Sequence, residues 1–346
     1  MSMIQLDAAL LKPIFARQLA LAAVDQESSE HVMESLLQTS LRGVDSHGIQ
    51  LFPHYIRAAR AGRINTVPHI AIKPTGASTA ILDADHAFGH RAGADAIDYA
   101  VDLASKSGIG IVSVRHSSHF GAAAYFALRA ASRGFIGLAF TNADSLVKAF
   151  NARKAVFGTN PICFTAPLQN EGPLCLDMAT SVVSWNKVRV RHASGLQLLP
   201  DWAYDGEGMP TTDPAAARSL SPAGGYKGYG LGMMVEILCG LLAGGPIGTE
   251  ILTMYGAPIE ARRSISHFLM AIDIGRFLDL DTFRSRIQAL VDQIRSMPAV
   301  ADSVMVPGDP EKRSFVERSA AGIPVPAAVF ESLCEVSQDF RSAVRE

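Results

Sequence analysis

Residues 108–142 read GIGIVSVRHSSHFGAAAYFALRAASRGFIGLAFTN. The run from Ile109 to Val114 is rich in β-branched residues, which pack well on a pleated surface, and predicts a strand. A polar loop follows, Arg115 to His119. From Gly121 to Gly134, Ala, Tyr, Phe and Leu at helical spacing predict a helix of small residues. Phe135 to Asn142 is again an apolar strand. Strand, helix and strand in so short a span are the unit of an α/β sheet. The alternation continues outward. TAILDA (79–84) reads as a strand and HRAGADAIDYAVDLASKSG (90–108) as a helix. VFGTNPICFTAP (156–167), GPLCLDMA (172–179) and SHFLMAIDI (266–274) read as further strands, and SVVSWNKVRVRH (181–192) starts a helix. The apolar runs predict a largely buried sheet.

Both ends of the chain differ from this middle. Residues 7–24 and 27–42 read as amphipathic helices, the second with Val32, Met33, Leu36, Leu37 and Leu41 at helical spacing and Gly43 at its end. A third helix starts near Ile49, with Pro53 tolerated in its first turn. DTFRSRIQALVDQIRSM (281–297) and PAAVFESLCEVSQDF (326–340) are helical again. The expected layout is a helical lobe built from residues 1–75 and 282–346, and an α/β domain over residues 76–281. Residues 195–225 form a stretch long for a loop, the kind that is usually functional or disordered.

Charged residues make up 18% of the 346, below the roughly 25% of an average domain. So apolar a chain has surface to hide in a large interior or a subunit interface. The net charge of −2 comes without clustered Lys and Arg, so nucleic-acid binding has no electrostatic support. Cys163, Cys175, Cys239 and Cys334 form no CxxC pair and suit reduced, buried thiols. The N-terminal MSMIQLDAALLKPIFARQ is interrupted by Asp7, Lys12 and Arg17, so no signal peptide is read there. The longest apolar stretch, LGMMVEILCGLLAGG (231–245), falls short of the ~20 residues a membrane span needs and contains Glu236. It reads as a buried helix. The expected protein is cytoplasmic, away from the membrane.

Three segments carry candidate chemistry. Asp45-Ser46-His47-Gly48 lies between two helices, where a loop imidazole can reach a ligand and exchange protons near neutrality; Asp45 or Ser46 also fits a helix cap. Arg115-His116-Ser117-Ser118-His119-Phe120-Gly121 follows a strand and precedes a helix, the place where α/β sheets bind ligands. Its H-x-x-H spacing supplies at most two of the three or four ligands zinc needs, and no metal site is expected. Gly224-Gly225-Tyr226-Lys227-Gly228-Tyr229-Gly230-Leu231-Gly232 opens the apolar helix; glycines, a lysine and free helix N–H groups suit a pyrophosphate, and a flexible hinge fits as well. It is neither GxGxxG nor a Walker A loop, and no strand precedes it. Asp177 ends the strand PLCLD and begins MATSVVSW, as an N-cap or as a group facing a proton relay or ribose hydroxyl.

Taken together the chain resembles the type-2 malate/L-lactate dehydrogenase family, which also holds ureidoglycolate, sulfolactate and diketogulonate enzymes and cyclic-imine reductases. The resemblance rests on DSHG (45–48), AGRIN (61–65), SSHFGAAAYF (117–126), GFIGLAFTN (134–142), FGTNP (157–161), LDMATSVVSWNKV (176–188), GMPTTDP (208–214), KGYGLGMMVEIL (227–238) and VPGDPE (306–311), in that order. It implies a non-Rossmann, mixed-sheet α/β fold like that of L-sulfolactate dehydrogenase, a homodimer, and NAD or NADP as cofactor. It implies hydride transfer between nicotinamide and a small 2-oxo or 2-hydroxy acid, or reduction of a cyclic ketimine. By resemblance His47 and His119 are the active-site histidines, with Asp177 beside them. Asp177, Met178, Ala179 and Thr180, together with Tyr226, Lys227, Gly228, Gly308, Asp309, Pro310 and His119, contact the cofactor. Ser46, Thr159 and Asn160 line the substrate cleft.

The sequence departs from the family at Leu51, where many relatives carry an arginine thought to clamp the substrate carboxylate bidentately. A usual apolar residue–Pro–Phe–Gly–Gly reads Lys148-Ala149-Phe150-Asn151-Ala152, and the usual Ser after Thr-Asn is Ala143. Lys148 is the expected substitute cation, with His54 a second choice; Lys148 also fits a solvated surface position.

Overall fold

The computed structural model describes residues 3–345. In chain order, β1 (Met3–Leu6) leads to α1 (Ala8–Leu21) and α2 (Gln26–Leu41). Asp7 and Asp25 cap these two helices, their carboxylates accepting from Ala9 and Ser28 N–H at 2.8 Å, which satisfies donors a helix leaves open. Two 3-10 turns carry the DSHG loop into α3 (Phe52–Arg60). β2 (Ala71–Pro74), β3 (Thr79–Asp83), α4 (Gly89–Ser107), β4 (Ile109–Ser117), α5 (Ala124–Ser132) and β5 (Phe135–Thr141) follow. Next come β6 (Val147–Lys148), β7 (Ala155–Phe157), β8 (Ile162–Ala166), β9 (Leu174–Met178) and α6 (Trp185–Ala193). Three two-residue strands, β10 (Ala203–Tyr204), β11 (Pro210–Thr211) and β12 (Ser219–Leu220), precede α7 (Tyr226–Glu236). The chain ends with β13 (Ile265–Asp273), α8 (Leu280–Arg295), α9 (Asp309–Ala321), β14 (Ile323–Pro326) and α10 (Ala327–Val336).

The main sheet has the order β2-β3-β4-β13-β5-β8-β9. β3 and β4 are parallel neighbours joined by α4, as the alternation predicts. β4 and β5 point the same way without touching, because β13 lies between them, antiparallel to both. β13 is the apolar run SHFLMAIDI, with Leu269 and Ala271 wholly buried. A run that apolar is most stable where both faces are covered. The result is a mixed sheet and not a doubly wound parallel one. Helix α4 lies close on it: a Cβ at Gly110 would sit 1.9 Å from Ala100 O, so glycine is required there.

One apolar core joins residues of α1, α2 and α3 to Ile323, Phe330, Leu333 and Phe340, and β1 pairs with β14. The two ends of the chain therefore share a helical lobe. Residues 71–74 are β2, at the edge of the main sheet, and α8 packs through Val291 on Leu168 and Val306. Within the long stretch 195–225, β10, β11 and β12 join β6 and β7 in a five-stranded second sheet, with its own core at Leu198, Ala203 and Leu220.

Two expectations need correction. The stretch 231–245 is buried on one side only. Val235 and Cys239 pack on Phe140 and Phe268, whereas Leu231, Met233, Met234, Ile237, Leu241 and Leu242 face outward uncovered. Asp177 does not cap the helix that follows it; Ser184 caps α6, and Asp177 serves α5 instead. Cys163, Cys175, Cys239 and Cys334 are buried free thiols. Among the described residues no helix is long and apolar enough to cross a membrane.

Candidate active site

The DSHG loop is fastened by two distant parts of the chain, α9 and α6. Arg318 of α9 donates to both Asp45 carboxylate oxygens at 2.5 and 3.0 Å and to Ser40 O at 2.7 Å. Asn186 of α6 donates to Ser46 O at 3.3 Å. Ser46 Oγ lies 2.8 Å from His47 Nδ1, which fixes the imidazole. Burial pushes the His47 pKa down to about 4.

His119 stands beyond the end of β4, in a loop that Ser118 pins by accepting from Gly89 N–H and donating to Ala87 O. Its ring faces that of His47, with centroids 5.6 Å apart and planes 16° from parallel. Burial, then His47 and Arg263, hold its pKa well below the usual histidine range. Tyr55 Oη lies 2.7 Å from His119 Nδ1, and Gly121 N–H approaches the same nitrogen at 3.4 Å. Among the described residues Nε2 has no protein partner, so it is the nitrogen left for a ligand. Tyr55 is 1% exposed, with its ring edge-on to His90 at 4.8 Å. Sequence reading placed Tyr55 only on the apolar face of α3. The available signal was that a buried tyrosine hydroxyl needs a partner. His116, the other histidine of H-x-x-H, bonds Asp83 at 3.0 Å. Among the described residues no cluster of three or more His, Cys, Asp or Glu is arranged to hold a metal.

Asp177, at the end of β9, accepts from Ala124 N–H at the start of α5 at 2.9 Å. Its surface is exposed to solvent, while the protein atoms crowded around the carboxylate still desolvate it. Burial pushes its pKa up to about 6, against the Ala124 N–H and the charge of Arg42. Met178 and Ala179 are half-buried beside it. Gly308, at φ +96°, would place a Cβ 3.1 Å from Cys175 N, so the 306–311 segment reaches β9 only through glycine. Asp309 is held by Arg295 at 2.5 and 3.0 Å and caps Val306 N–H, and Pro310 sits in the first turn of α9. Alongside runs a groove of about 700 Å³ lined by Arg42, Ala124, Tyr125, Arg129, Lys312 and Phe315, among others. Arg42 Nη2 is buried with no hydrogen-bond partner.

Thr180 ties the glycine-rich segment to the sheet. Its N–H and hydroxyl donate to Thr159 O at 2.9 and 3.0 Å, and its own carbonyl accepts from Ala223 N–H at 2.9 Å. Gly228 is buried, whereas Tyr226 and Lys227 are exposed at the start of α7, where no side chain caps the helix N–H groups. Asn160 is wholly buried; its amide donates to Gly232 O and to Glu236 at 2.9 and 2.7 Å. Lys148 donates to Gly208 O at 3.0 Å and lies 3.7 Å over the Tyr204 ring, within the second sheet. Leu51 is buried, and His54 lies one helical turn on.

The structure thus brings together His47, His119, Ser46 and Tyr55 in one cleft. It places the Asp177–Thr180 turn, Gly308 and the start of α7 along main-chain links around the end of β9. The family model of malate/L-lactate dehydrogenase matches residues 6–334. The chain is 35% identical to malate dehydrogenase of Pyrococcus abyssi, over 93% of this chain and 91% of that one. It is 32% identical to ureidoglycolate dehydrogenase (NAD(+)) of Escherichia coli K12, over 93% of each. The solved sulfolactate dehydrogenase of Methanocaldococcus jannaschii superposes with a TM-score of 0.90 at 30% identity, covering 98% of both chains. The mixed sheet and helical lobe expected from the motifs are therefore the fold observed, and the chain belongs to the malate/L-lactate dehydrogenase family.

Proposed function

We propose that the chain is an NAD- or NADP-dependent dehydrogenase that interconverts a small 2-hydroxy acid and its 2-oxo acid in the His47–His119 cleft. The observation that carries this reading is the pair of facing imidazoles, with Tyr55 committing Nδ1 of His119 and leaving Nε2 for the substrate. The residues around β9 fit a dinucleotide. Arg42 has an unpartnered buried nitrogen for a phosphate, Gly308 lets the 306–311 segment lie against β9, and Lys227 stands exposed at the start of α7 as a further cation. Met178, Ala179 and Thr180 would form the wall of the nicotinamide end, and the groove at Arg42 would take the adenosine end. When bound, the nicotinamide supplies or accepts the hydride.

The rest is done by this chain. In the reducing direction the His119 imidazolium donates from Nε2 to the carbonyl oxygen as charge develops there. The Tyr55 hydroxyl turns to accept from Nδ1–H of that imidazolium, and donates to Nδ1 when it is unprotonated. His47, fixed by Ser46, holds the oxygen from the opposite side, and positioning contributes much of the remaining acceleration. In the free protein both imidazoles are neutral near pH 7, which suits a base for hydroxy-acid oxidation. An anionic substrate beside them raises their hold on a proton.

A second copy of the chain would cover the apolar outer face of the stretch 231–242, because six large apolar side chains left in water favour association. A panel of pyruvate, oxaloacetate and piperideine-2-carboxylate with each reduced cofactor tests the activity. Turnover of an oxo acid is the expected result. Turnover of the cyclic imine alone would replace this reading by ketimine reduction, and cofactor binding without turnover would overturn both.

A further inference from the structure

Beside the DSHG loop lie two adjoining grooves of about 600 Å³ each, which share His54, Arg57 and Tyr255; Leu51 lines the second, as does Asn186, which donates to Ser46 O. α3 walls both; residues 254–259 face it in the first groove and α6 faces it in the second. Arg57, Arg60, Arg189 and His192 line them, with His54 between, and no lining residue is acidic. Among the described residues Arg57, Arg60 and Arg189 make no ion pair, whereas most other well-placed arginines of the chain are matched to a carboxylate. Unmatched cations in a concave wall form a positive field with nothing of the chain's own to satisfy it.

The grooves connect to the chemistry through packed rings. His54 also lines the small cavity beside His119. Its ring lies 6.0 Å from that of Tyr55 and 5.2 Å from that of Tyr255, and the Arg189 guanidinium sits 5.3 Å above Tyr255. Burial, followed by Arg63, Arg57 and Arg263, pushes the His54 pKa down to about 4, so the positive potential of the groove extends inward. Arg57 and Arg189 therefore stand in a groove that Leu51 and Asn186 also line, and Asn186 links that groove to the DSHG loop.

We infer that Arg57 and Arg189 form a distal subsite for a second carboxylate, so that this enzyme prefers elongated 2-oxo and 2-hydroxy diacids over monoacids of equal length. This rests on the proposed activity and names its substrate class. Neither groove is lined by His47 or His119, so only a far carboxylate carried on a longer chain would lie at these side chains.

The test compares two series as substrates of the whole enzyme. The diacids are oxaloacetate, 2-oxoglutarate, 2-oxoadipate and 2-oxopimelate; the monoacids are 2-oxobutanoate, 2-oxopentanoate, 2-oxohexanoate and 2-oxoheptanoate. The readout is the ratio of kcat/KM, diacid over monoacid, at each length. The ratio is expected to rise along the series. Arg57→Gln and Arg189→Gln each lower it at the longest lengths by about fivefold to tenfold, the weight of one solvent-screened charged hydrogen bond. Arg57→Lys restores part of it, and Arg341→Gln, in the 3-10 turn after α10 and outside both linings, leaves it unchanged. A ratio that is flat, or greatest for oxaloacetate, overturns the subsite while leaving the activity standing. Variants that change the association state by light scattering, but not the ratio, overturn it too, by assigning the arginines to a contact between copies. No turnover of any member overturns the activity and the subsite together.

Discussion

Replacing Tyr55 by Phe removes one oxygen from a filled core and one hydrogen bond from His119. The 2.7 Å contact to Nδ1 is then lost, and only the Gly121 N–H at 3.4 Å remains. That N–H is a donor and cannot accept from imidazolium. With neutral imidazole the lost bond is worth about 0.5–1.5 kcal/mol, and with imidazolium about 1.5–3 kcal/mol. The difference, about 1–1.5 kcal/mol, falls on the protonated state that reduction needs, and corresponds to roughly one pKa unit or tenfold in rate. Steady-state kinetics of 2-oxo acid reduction should therefore show kcat down by about tenfold with KM nearly unchanged, and the alkaline limb of the kcat profile moved about one unit lower. Thermal melting should change little, since the ring still fills its place against His90. An unaltered kcat and pH profile, in a variant that folds, would refute the role assigned to Tyr55.

Other consequences follow from the same coordinates. Arg42→Met should weaken binding of the reduced cofactor by about tenfold to a hundredfold, as loss of one charge-assisted bond implies; nicotinamide fluorescence titration reads this, and an unchanged Kd removes Arg42 from the cofactor site. His90 and His267 are wholly buried, and burial holds both near pKa 3. Their unfolded values are higher, so the unfolded chain binds protons first, and stability complete above about pH 6.5 is lost as the pH falls toward 3, by about 2 kcal/mol for each histidine at pH 5. Urea midpoints at pH 7.5 and 5 measure this, and His90→Phe should reduce the difference; equal midpoints would count against neutral buried histidines. Leu242→Asp, on the bare face of the stretch 231–242, should shift the protein from dimer to monomer in light scattering, and a wild type that is already monomeric would contradict that face's proposed role.

Much of this was legible in the sequence, because local rules determined it. The β3-α4-β4 unit, the small-residue helix α5 and the helices α1 and α2 follow from periodicity and side-chain chemistry within a few residues. The place of β13 did not, since nothing local says that residues 265–273 enter between β4 and β5. The strands of the second sheet span two or three residues each, too short for an alternating pattern, so the stretch 195–225 looked irregular. In α9 no residue is buried, so no apolar stripe announced it. His47 and His119 stood out in polar loops, whereas Tyr55 was hidden in an apolar stripe and Arg42 at a helix end. The apolar run 231–245 read as interior because a sequence cannot distinguish a face buried in its own core from one awaiting a second chain.

The most direct test of hydride transfer in this cleft uses reduced nicotinamide carrying deuterium at both C4 positions, a 2-oxo acid and the wild-type enzyme, with mass spectrometry of the product. One deuterium at C2 of the hydroxy acid, with its formation strongly reduced in His119→Gln, is the predicted result. Product without the label, or label transfer undiminished in His119→Gln, would contradict the account.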